Sequence, residues 1–155
     1  MPNSQPNSIY PPSAFYFKVM LGGTHETEDT SFQEVSGIAS EVEVEAVIEG
    51  GENQFVHQLP KGIKHPNLQL KRGIAPKGSS LVKWCMAVME GGFVKAIETK
   101  EVRVFLLNED KNPIRGWLFD SAYPVKWEIE SFGSTKNEVA IEKIILSYTY
   151  SKRIV

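Results

Sequence analysis

Residues 40–51 read SEVEVEAVIEGG, in which charged and apolar side chains alternate. Successive side chains of an extended chain point to opposite faces, so the carboxylates share one face and the apolar groups share the other. They are Glu41, Glu43 and Glu45 on the first face and Val42, Val44 and Ala46 on the second. Carboxylates on one face lie about 7 Å apart and repel one another unless water, salt or a cross-strand Lys or Arg screens them. The stretch therefore predicts a strand with one wet face and one apolar face.

A chain of 155 residues has the length of one ordinary domain. Its composition, 41% hydrophobic and 23% charged, is typical of a globular protein. The net charge of −2 and the lack of a dense basic block argue against nucleic-acid binding as the main task. Residues 1–13 carry four prolines and are predicted to form an extended N-terminal arm. Residues 14–155 are predicted to form a single domain.

The only cysteine, Cys85, leaves no disulfide within the chain and fits synthesis in a reducing cytoplasm. The N-terminus, MPNSQPNSIYPPS, lacks the basic start and the apolar run of a secretory signal. No stretch reaches the roughly 20 apolar residues of a membrane helix. We therefore expect no membrane anchor, and a protein that stays soluble or is exported without a cleaved signal.

Most of the chain shows the alternation and turn signals of short strands. One strand is predicted in residues 14–21, and two strands or one bent strand in residues 31–49, with a break near Ser36 and Gly37. Further strands are predicted in residues 67–73, 101–108, 114–122, 124–130 and 138–151, whereas residues 22–31 and 50–66 have the composition of loops. Strands with turn signals about every ten residues and a single helix predict a mainly β fold, an antiparallel barrel or sandwich with one flanking α-helix.

One segment has the pattern of a helix. Ser79 or Ser80 is the expected N-cap, and Gly91 and Gly92 close the segment. Apolar side chains between these ends recur at helical spacing. They are Leu81, Trp84, Cys85, Val88 and Met89. This stripe predicts an amphipathic helix of about three turns that packs on the barrel.

Reactive side chains form no catalytic or metal-binding pattern. His25, His57 and His65 all fall in predicted loops, at spacings that match no zinc motif. Cys85 occupies a core position of the helix, where cysteine acts as a small hydrophobic residue. The three glutamates form a regular row on one strand. They therefore do not provide the two different environments that an acid/base pair of carboxyls requires, and they do not converge from a tight loop as calcium ligands do. We expect no enzyme activity, no cofactor and no metal.

The stretch GIAPKGSS, residues 73–80, has glycines spaced like those of a phosphate-binding loop. It has Ser79 at the position where that motif requires lysine, and it follows only a short predicted strand. We interpret it as a flexible turn that leads into the helix N-cap.

The ordered blocks of the chain, rather than any single motif, carry a resemblance. The blocks are FYFKV, FQEVSGI, SEVEVEAVIEGGEN, NLQLKRG, the helix around Trp84, VFLLNE, WLFDSAYPVKWE and EVAIEKIILSYTY. Together they resemble the inner tube proteins of contractile phage tails and of extracellular contractile injection systems. The resemblance covers residues 15–150, nearly the whole chain, and only the proline-rich arm lies outside it.

This resemblance implies a structural protein with a tail-tube (Hcp-like) fold. Such subunits form hexameric rings that stack into a rigid hollow tube, which a contractile sheath drives through a target envelope. The implied partners are further copies of the chain, the sheath protein, and baseplate, spike and tube-terminating proteins. Cargo or DNA would pass through the lumen without specific binding. Synthesis and assembly in the cytoplasm are implied, followed by a place in a phage tail or a released extracellular particle.

The resemblance also implies a place for the alternating strand. Its carboxylates are expected to line a water-filled lumen, and its apolar side chains to pack under the core of their own subunit. The first set is Glu41, Glu43 and Glu45, and the second is Val42, Val44 and Ala46. Repeated around a ring, these carboxylates would make an anionic lining, unless Lys and Arg on neighbouring strands neutralise it.

Two further surfaces are expected to make contacts within the tube. The loop in residues 50–66 is long and carries apolar groups, so it is the candidate for stacking one ring on the next; an ordinary loop folded over its own barrel is the alternative. The residues assigned to stacking are Asn53, Gln54, Phe55, Val56, His57 and Leu59. Lys83 and Glu90 are expected on the outer, sheath-facing side of the helix, although a plain surface helix explains the stripe equally well.

Two other interpretations stay open. A self-secreted ring protein of a type VI-like secretion system has the same expected fold. A small enzyme or ligand-binding barrel is the third interpretation, although the sequence contains no convergent polar pocket. Electron microscopy separates assembly from catalysis, and neighbouring sheath, baseplate and spike genes separate the first two interpretations.

Overall fold

The structure, a computed structural model, describes residues 16–22, 27–48, 50–51, 56–73, 78–92, 94, 96–130 and 140–155. Within these residues it contains ten strands and one α-helix. The strands are β1 (Phe17–Leu21), β2 (Thr27–Phe32), β3 (Glu34–Ser36), β4 (Glu41–Val47), β5 (His57–Lys64), β6 (Leu68–Gly73), β7 (Lys100–Leu107), β8 (Pro113–Ile129), β9 (Ile141–Ser147) and β10 (Tyr150–Arg153). The helix α1 is Ser80–Glu90. No helix in this part of the chain is long and apolar enough to cross a membrane.

The main sheet closes on itself. Its strand order is β2-β1-β7-β8-β9-β6-β3, and adjacent strands in this order are antiparallel. The first and last strands of this order, β2 and β3, are separated only by Gln33, whose backbone N–H donates to Lys71 O on β6 at 2.9 Å. One bent segment thus pairs with β1 at its start and with β6 at its end. The predicted antiparallel β fold with one flanking helix is confirmed, and the closure makes it a barrel.

Strand β8 is 17 residues long and serves both sides of the barrel. Its first part pairs with β7 and β10, and its second part pairs with β9. The change of partner occurs where Ser121 has a φ of 51° and where the register shifts between Pro124 and Lys126. Such a bulge accommodates a proline, which has no N–H to donate. The prediction of two strands in residues 114–122 and 124–130 is therefore wrong, because β8 continues as one strand through the bend.

Strand β2 lies in a segment for which the sequence predicts a loop, residues 22–31. It occupies Thr27–Phe32 and pairs with β1. Its sequence, TEDTSF, is polar and has no apolar alternation, so its composition alone carries no strand signal. Hydrogen bonding to β1 and the burial of Asp29 hold it in place.

Alternate residues of the barrel strands supply the core, as the two-residue period of a strand requires. The side chains on β1, β6, β7 and β9 that face inward have almost no exposed surface. They are Val19, Leu21, Leu68, Leu70, Val102, Val104, Ile144 and Leu146.

The helix begins and ends as predicted. The Ser79 hydroxyl accepts a hydrogen bond from the Val82 backbone N–H at 3.3 Å and caps the N-terminus, and Gly91 caps the C-terminus. The buried side chains of α1 are Leu81, Trp84 and Cys85. Val88 packs at the edge of the core. Met89 does not belong to the buried stripe, since it is 39% exposed at the end of the helix.

A buried ionic cluster fixes the helix on the barrel. Arg72 on β6 contacts Asp29 on β2, and its Nε donates to Glu142 on β9 at 3.2 Å. The Asp29 carboxylate also accepts hydrogen bonds from the Leu81 backbone N–H and the Ser79 hydroxyl, each at 2.9 Å. The side chains of the cluster are more than nine-tenths buried. It joins three strands to the N-terminus of α1, where a carboxylate is favoured by the helix dipole.

Candidate assembly surfaces

Strands β4 and β5 form a two-stranded sheet apart from the barrel, and we call this pair the ribbon. Opposite residues of an antiparallel pair share a face, so the register sorts the side chains into two faces. The charged face carries Glu41, Glu43 and Glu45, with Lys64 opposite Glu41 and the apolar Leu59 opposite Glu45. The apolar face carries Val42 opposite Ile63, Val44 opposite Pro60, and Ala46. The strand predicted from the alternation of charged and apolar residues is confirmed.

Both faces of the ribbon are open to solvent. Val42 and Val44 are 53% and 54% exposed, and Ile63 is 75% exposed. The expectation that Val42, Val44 and Ala46 pack under the core of their own subunit is therefore wrong. Among the described strands β4 pairs only with β5, so the ribbon leaves the barrel instead of covering it. An isolated two-stranded ribbon is marginally stable, and an uncovered apolar face of this kind usually marks a contact surface.

The root of the ribbon is held close to the barrel. Gly37, which precedes β4, has a φ of 88°, and a Cβ at this position would lie 2.0 Å from Asn67 O. His65, which follows β5, stacks on Tyr148 with ring centroids 3.9 Å apart, and its Nε2 lies 3.2 Å from Thr149 O. Burial raises the pKa of Tyr148, so the ring under the imidazole stays neutral. Both strands of the ribbon therefore leave the barrel at a defined point.

The segment predicted as a ring-stacking loop, residues 50–66, contains strand β5. Residues His57–Lys64 form β5 because they pair with β4, although a glycine and a proline interrupt their own pattern. Of the residues assigned to stacking, Val56, His57 and Leu59 are exposed on or beside the ribbon. Asn53, Gln54 and Phe55 lie outside the described residues.

The two residues of α1 that the sequence assigns to contact with a sheath are exposed in the isolated subunit. Lys83 and Glu90 are exposed, whereas the stripe formed by Leu81, Trp84 and Cys85 is buried. Because the ionic cluster anchors the helix, both side chains project from a fixed element. They point away from the core of their own subunit.

A groove lies between the C-terminal half of α1 and the second part of β8, and we call it the α1–β8 groove. Its volume is about 420 Å³. The residues that line it are mainly apolar or aromatic, and Lys126 stands among them. The apolar ones include Val88, Met89, Ile97, Tyr123, Val125 and Trp127. Sequence reasoning missed this groove because its walls come from three separate segments, so no local pattern contains it.

In the part of the chain that the structure describes, no group of three or more His, Cys, Asp and Glu is placed to hold a metal ion. His57 is exposed on the ribbon, His65 contacts backbone carbonyls, and His25 lies outside the described residues. Burial raises the pKa of Cys85 to about 12. The thiol therefore stays protonated near neutral pH, and a protonated thiol is a poor nucleophile.

Comparison with protein families gives a match to most of the chain. A family model described as T4-like virus tail tube protein gp19 matches residues 13–152. A comparison with curated protein sequences gives no match. The match to the family spans β1 to β9 and most of β10, and it leaves out residues 1–12 and 153–155.

Solved structures extend the comparison. A chain of the anti-feeding prophage baseplate is 26% identical with a TM-score of 0.80, and the match covers 94% of this chain and 96% of that chain. A chain of the PVC extracellular contractile injection system, in its extended sheath–tube complex, is 22% identical with a TM-score of 0.74 over 95% and 93% of the two chains. Hcp1 from Flavobacterium johnsoniae is 17% identical with a TM-score of 0.56 over 90% and 94%. The barrel, the helix and their order in the chain are thus shared with all three.

Proposed function

This chain belongs to the family of T4-like virus tail tube proteins, and we propose that its subunits form hexameric rings that stack into the inner tube of a contractile particle. Its family and fold are those of structural tube proteins, not of enzymes. In this proposal a contractile sheath surrounds the tube and drives it through a target envelope. Cargo or DNA passes along the lumen without specific binding.

The observation that carries the proposal is the uncovered apolar face of the ribbon. Val42, Val44 and Ile63 are each more than half exposed in the isolated subunit. Removing such a face from water stabilises a contact by roughly 25 cal/mol for each Å² of apolar surface buried. In a tube every subunit has further copies of the same chain as neighbours, so a second copy is the partner that covers this face.

We assign the charged face of the ribbon to the lumen. Glu41 lies 3.9 Å from Lys64, but both side chains are mostly exposed, and Glu43 and Glu45 face no second lysine in the register. This face therefore carries more negative than positive charge and favours contact with water. The apolar face then packs on a neighbouring subunit and not, as the sequence suggests, under the subunit's own core.

The lumen assignment is tested by labelling assembled tubes of the variant Glu43→Cys. A small maleimide is expected to reach the thiol, whereas a maleimide attached to a large polymer is expected to be excluded from the channel. Equal labelling by both reagents would place the charged face on the outside. No labelling by either reagent would place it in a dry interface.

We assign the tip of the ribbon to ring stacking. The described part of this tip is Val56, His57 and Leu59, and the assignment also takes in Asn53, Gln54 and Phe55, which lie outside the described residues. Val56 and Leu59 are exposed apolar residues at the end of the described ribbon. Their exposure does not stabilise an isolated subunit, so they are candidates for a contact with another subunit. Deleting residues 53–58 is expected to leave soluble, folded subunits that form no tubes in electron micrographs. Normal tubes from this variant would contradict the assignment.

The remaining partners are proposed by likeness. One similar chain belongs to a sheath–tube complex, another to a baseplate and another to a tube-terminating cap. We propose a sheath protein at the outer side of α1, near Lys83 and Glu90, and baseplate, spike and terminator proteins at the tube ends. After synthesis and assembly in the cytoplasm, the protein is then found in a phage tail or a released extracellular particle.

Electron microscopy of the purified protein tests the central proposal. Hexameric rings or hollow tubes are expected. Subunits that stay monomeric at high concentration would contradict it. Co-expression with a sheath protein of a contractile particle is expected to give sheathed tubes, whereas rings that are exported without any sheath would favour a self-secreted ring protein of a type VI-like system.

A further inference from the structure

Within the described residues two apolar surfaces are uncovered, and their shapes are opposite. The apolar face of the ribbon projects from the barrel, whereas the α1–β8 groove is concave with a volume of about 420 Å³. The groove therefore has room for several side chains at once.

Neither surface covers the other within one subunit. Val44 on the ribbon is 54% exposed, and Val125 in the groove is 44% exposed. Met89 and Ile97, which also line the groove, are more than one third exposed. Exposed apolar residues that line one cleft differ from single surface residues, which need no explanation.

The chemistry of the two surfaces is complementary. The apolar face of the ribbon presents branched aliphatic groups, Val42, Val44 and Ile63. The groove offers the flexible thioether of Met89 and the ring of Trp127, both of which adapt to aliphatic groups.

We propose that the apolar face of the ribbon of one subunit docks into the α1–β8 groove of a neighbouring subunit. The inference rests on the proposed tube function and names the surface that receives the ribbon. Ribbon and groove are different patches, so the contact is heterologous and does not close on itself in a pair. Each subunit then gives one ribbon and receives another, which lets the contact continue through an open assembly.

Disulfide cross-linking tests this contact directly. The variants Val44→Cys and Val125→Cys are mixed, assembled and oxidised. Because a disulfide requires Cβ atoms about 4 Å apart, a covalent dimer is expected from the mixture and not from either variant alone. The double variant V44C/V125C is expected to give a ladder of covalent oligomers. The native Cys85 does not interfere, since it is buried and stays protonated.

A matched control uses Ile154→Cys mixed with Val44→Cys. Ile154 is 39% exposed, close to the exposure of Val125, but it lies near Gly116 on the first part of β8, away from the groove. The yield of the V44C–I154C dimer is expected to be at least about tenfold lower, because only pairs already in contact reach disulfide geometry. Equal yields would overturn the inference.

A charge at the groove gives an independent test. Val125→Glu is expected to stop the stacking of rings, because an unpaired carboxylate would be buried under the ribbon. The pair V44K/V125E is expected to restore part of the stacking, since the two charges then meet. Ile154→Glu serves as the control and is expected to stack normally. Circular dichroism confirms that each variant is folded.

The outcomes separate this inference from the proposed function. If the unmodified chain forms tubes but V44C and V125C do not cross-link, the inference is wrong and the tube function stands. A faster-migrating monomer from V44C/V125C would show that the ribbon folds onto its own groove, which also overturns the inference. Tubes of Val125→Glu that form normally but bind no sheath would assign the groove to the sheath instead. Failure of the unmodified chain to form any ring or tube would contradict the proposed function itself.

Discussion

The barrel and the ribbon are both built from antiparallel strands with apolar residues at alternate positions, yet they differ in what covers those residues. Leu68 and Leu70 in the barrel have no exposed surface, whereas Val42 and Val44 in the ribbon are more than half exposed. The barrel closes through β2 and β3 and buries its inner face within one chain. The ribbon has no second layer in the described structure. The same local pattern therefore stabilises the subunit in one region and is left for a partner in the other.

Ion pairs show the same contrast. Arg72 and Asp29 are buried together and share hydrogen bonds with Ser79 and the N-terminus of α1. Glu41 and Lys64 on the ribbon are 3.9 Å apart with both side chains mostly in water. A buried pair becomes very costly when one member is lost, whereas an exposed pair contributes little. Substitutions in the two regions should therefore differ in the free energy of unfolding of the subunit.

The largest effect is expected for Arg72→Met. The substitution leaves the carboxylates of Asp29 and Glu142 buried without their cation, and breaking a buried pair in this way costs about 3–5 kcal/mol. Urea unfolding of unassembled subunits measures the loss. Arg103→Met is the control, because the Arg103–Glu101 pair is about one third exposed and should cost about 1 kcal/mol or less. Equal losses would show that burial of the ionic cluster does not stabilise the barrel.

Leu70→Ala should come next. Leu70 is fully buried, and truncation of a buried leucine costs about 2–5 kcal/mol through lost contacts and the cavity that remains. Leu59→Ala on the ribbon should change the unfolding free energy of the unassembled subunit by about 0.5 kcal/mol or less, because Leu59 is 52% exposed. Thermal unfolding of both variants makes the comparison. A large loss for Leu59→Ala would show that the ribbon packs on its own barrel.

Gly37→Ala tests the root of the ribbon. A Cβ at Gly37 would meet Asn67 O at 2.0 Å, and the φ of 88° is unfavourable for alanine, so a cost of about 1–3 kcal/mol is expected. Gly62→Ala lies within the ribbon, has nothing within 4 Å of the added Cβ, and should be nearly neutral. Urea midpoints of the two variants provide the measurement. A neutral Gly37→Ala would mean that the root is not held as closely as the structure shows.

The smallest effect is expected for Lys64→Met. The Lys64 and Glu41 side chains are 54% and 72% exposed, so the pair should contribute about 0.2–1 kcal/mol, and less at high salt. Comparing unfolding of Lys64→Met and the unsubstituted chain at low and high salt measures this contribution. A loss as large as that of Arg72→Met would remove the contrast between ribbon and barrel.

The sequence predicted correctly those strands and helix ends that are specified by residues close together in the chain. The alternation in β4 and the caps of α1 at Ser79 and Gly91 both appear in the structure. Periodicity and capping depend only on neighbouring residues, so a single sequence displays them. The elements that sequence reasoning missed depend on distant partners. Strand β2 is polar but pairs with β1, and β5 contains glycine and proline but pairs with β4.

The ionic cluster shows the same limit. Asp29, Arg72 and Glu142 lie on three separate strands, and nothing in the sequence around each residue marks it as buried. Polar and charged residues are usually exposed, so residue type alone predicts that these three side chains lie on the surface. Only the closure of the barrel brings these side chains together, and their mutual hydrogen bonds then make burial tolerable.

By itself the sequence determined that the chain folds as antiparallel strands with an amphipathic helix, and it determined which residues of the alternating strand share a face. It did not determine what each face contacts. Tertiary structure decided that Val42, Val44 and Ala46 leave the core, and that Met89, Val125 and Trp127 form one groove. The physical reason is that side-chain direction follows from the local period of the backbone, whereas burial depends on which distant segment arrives to exclude water.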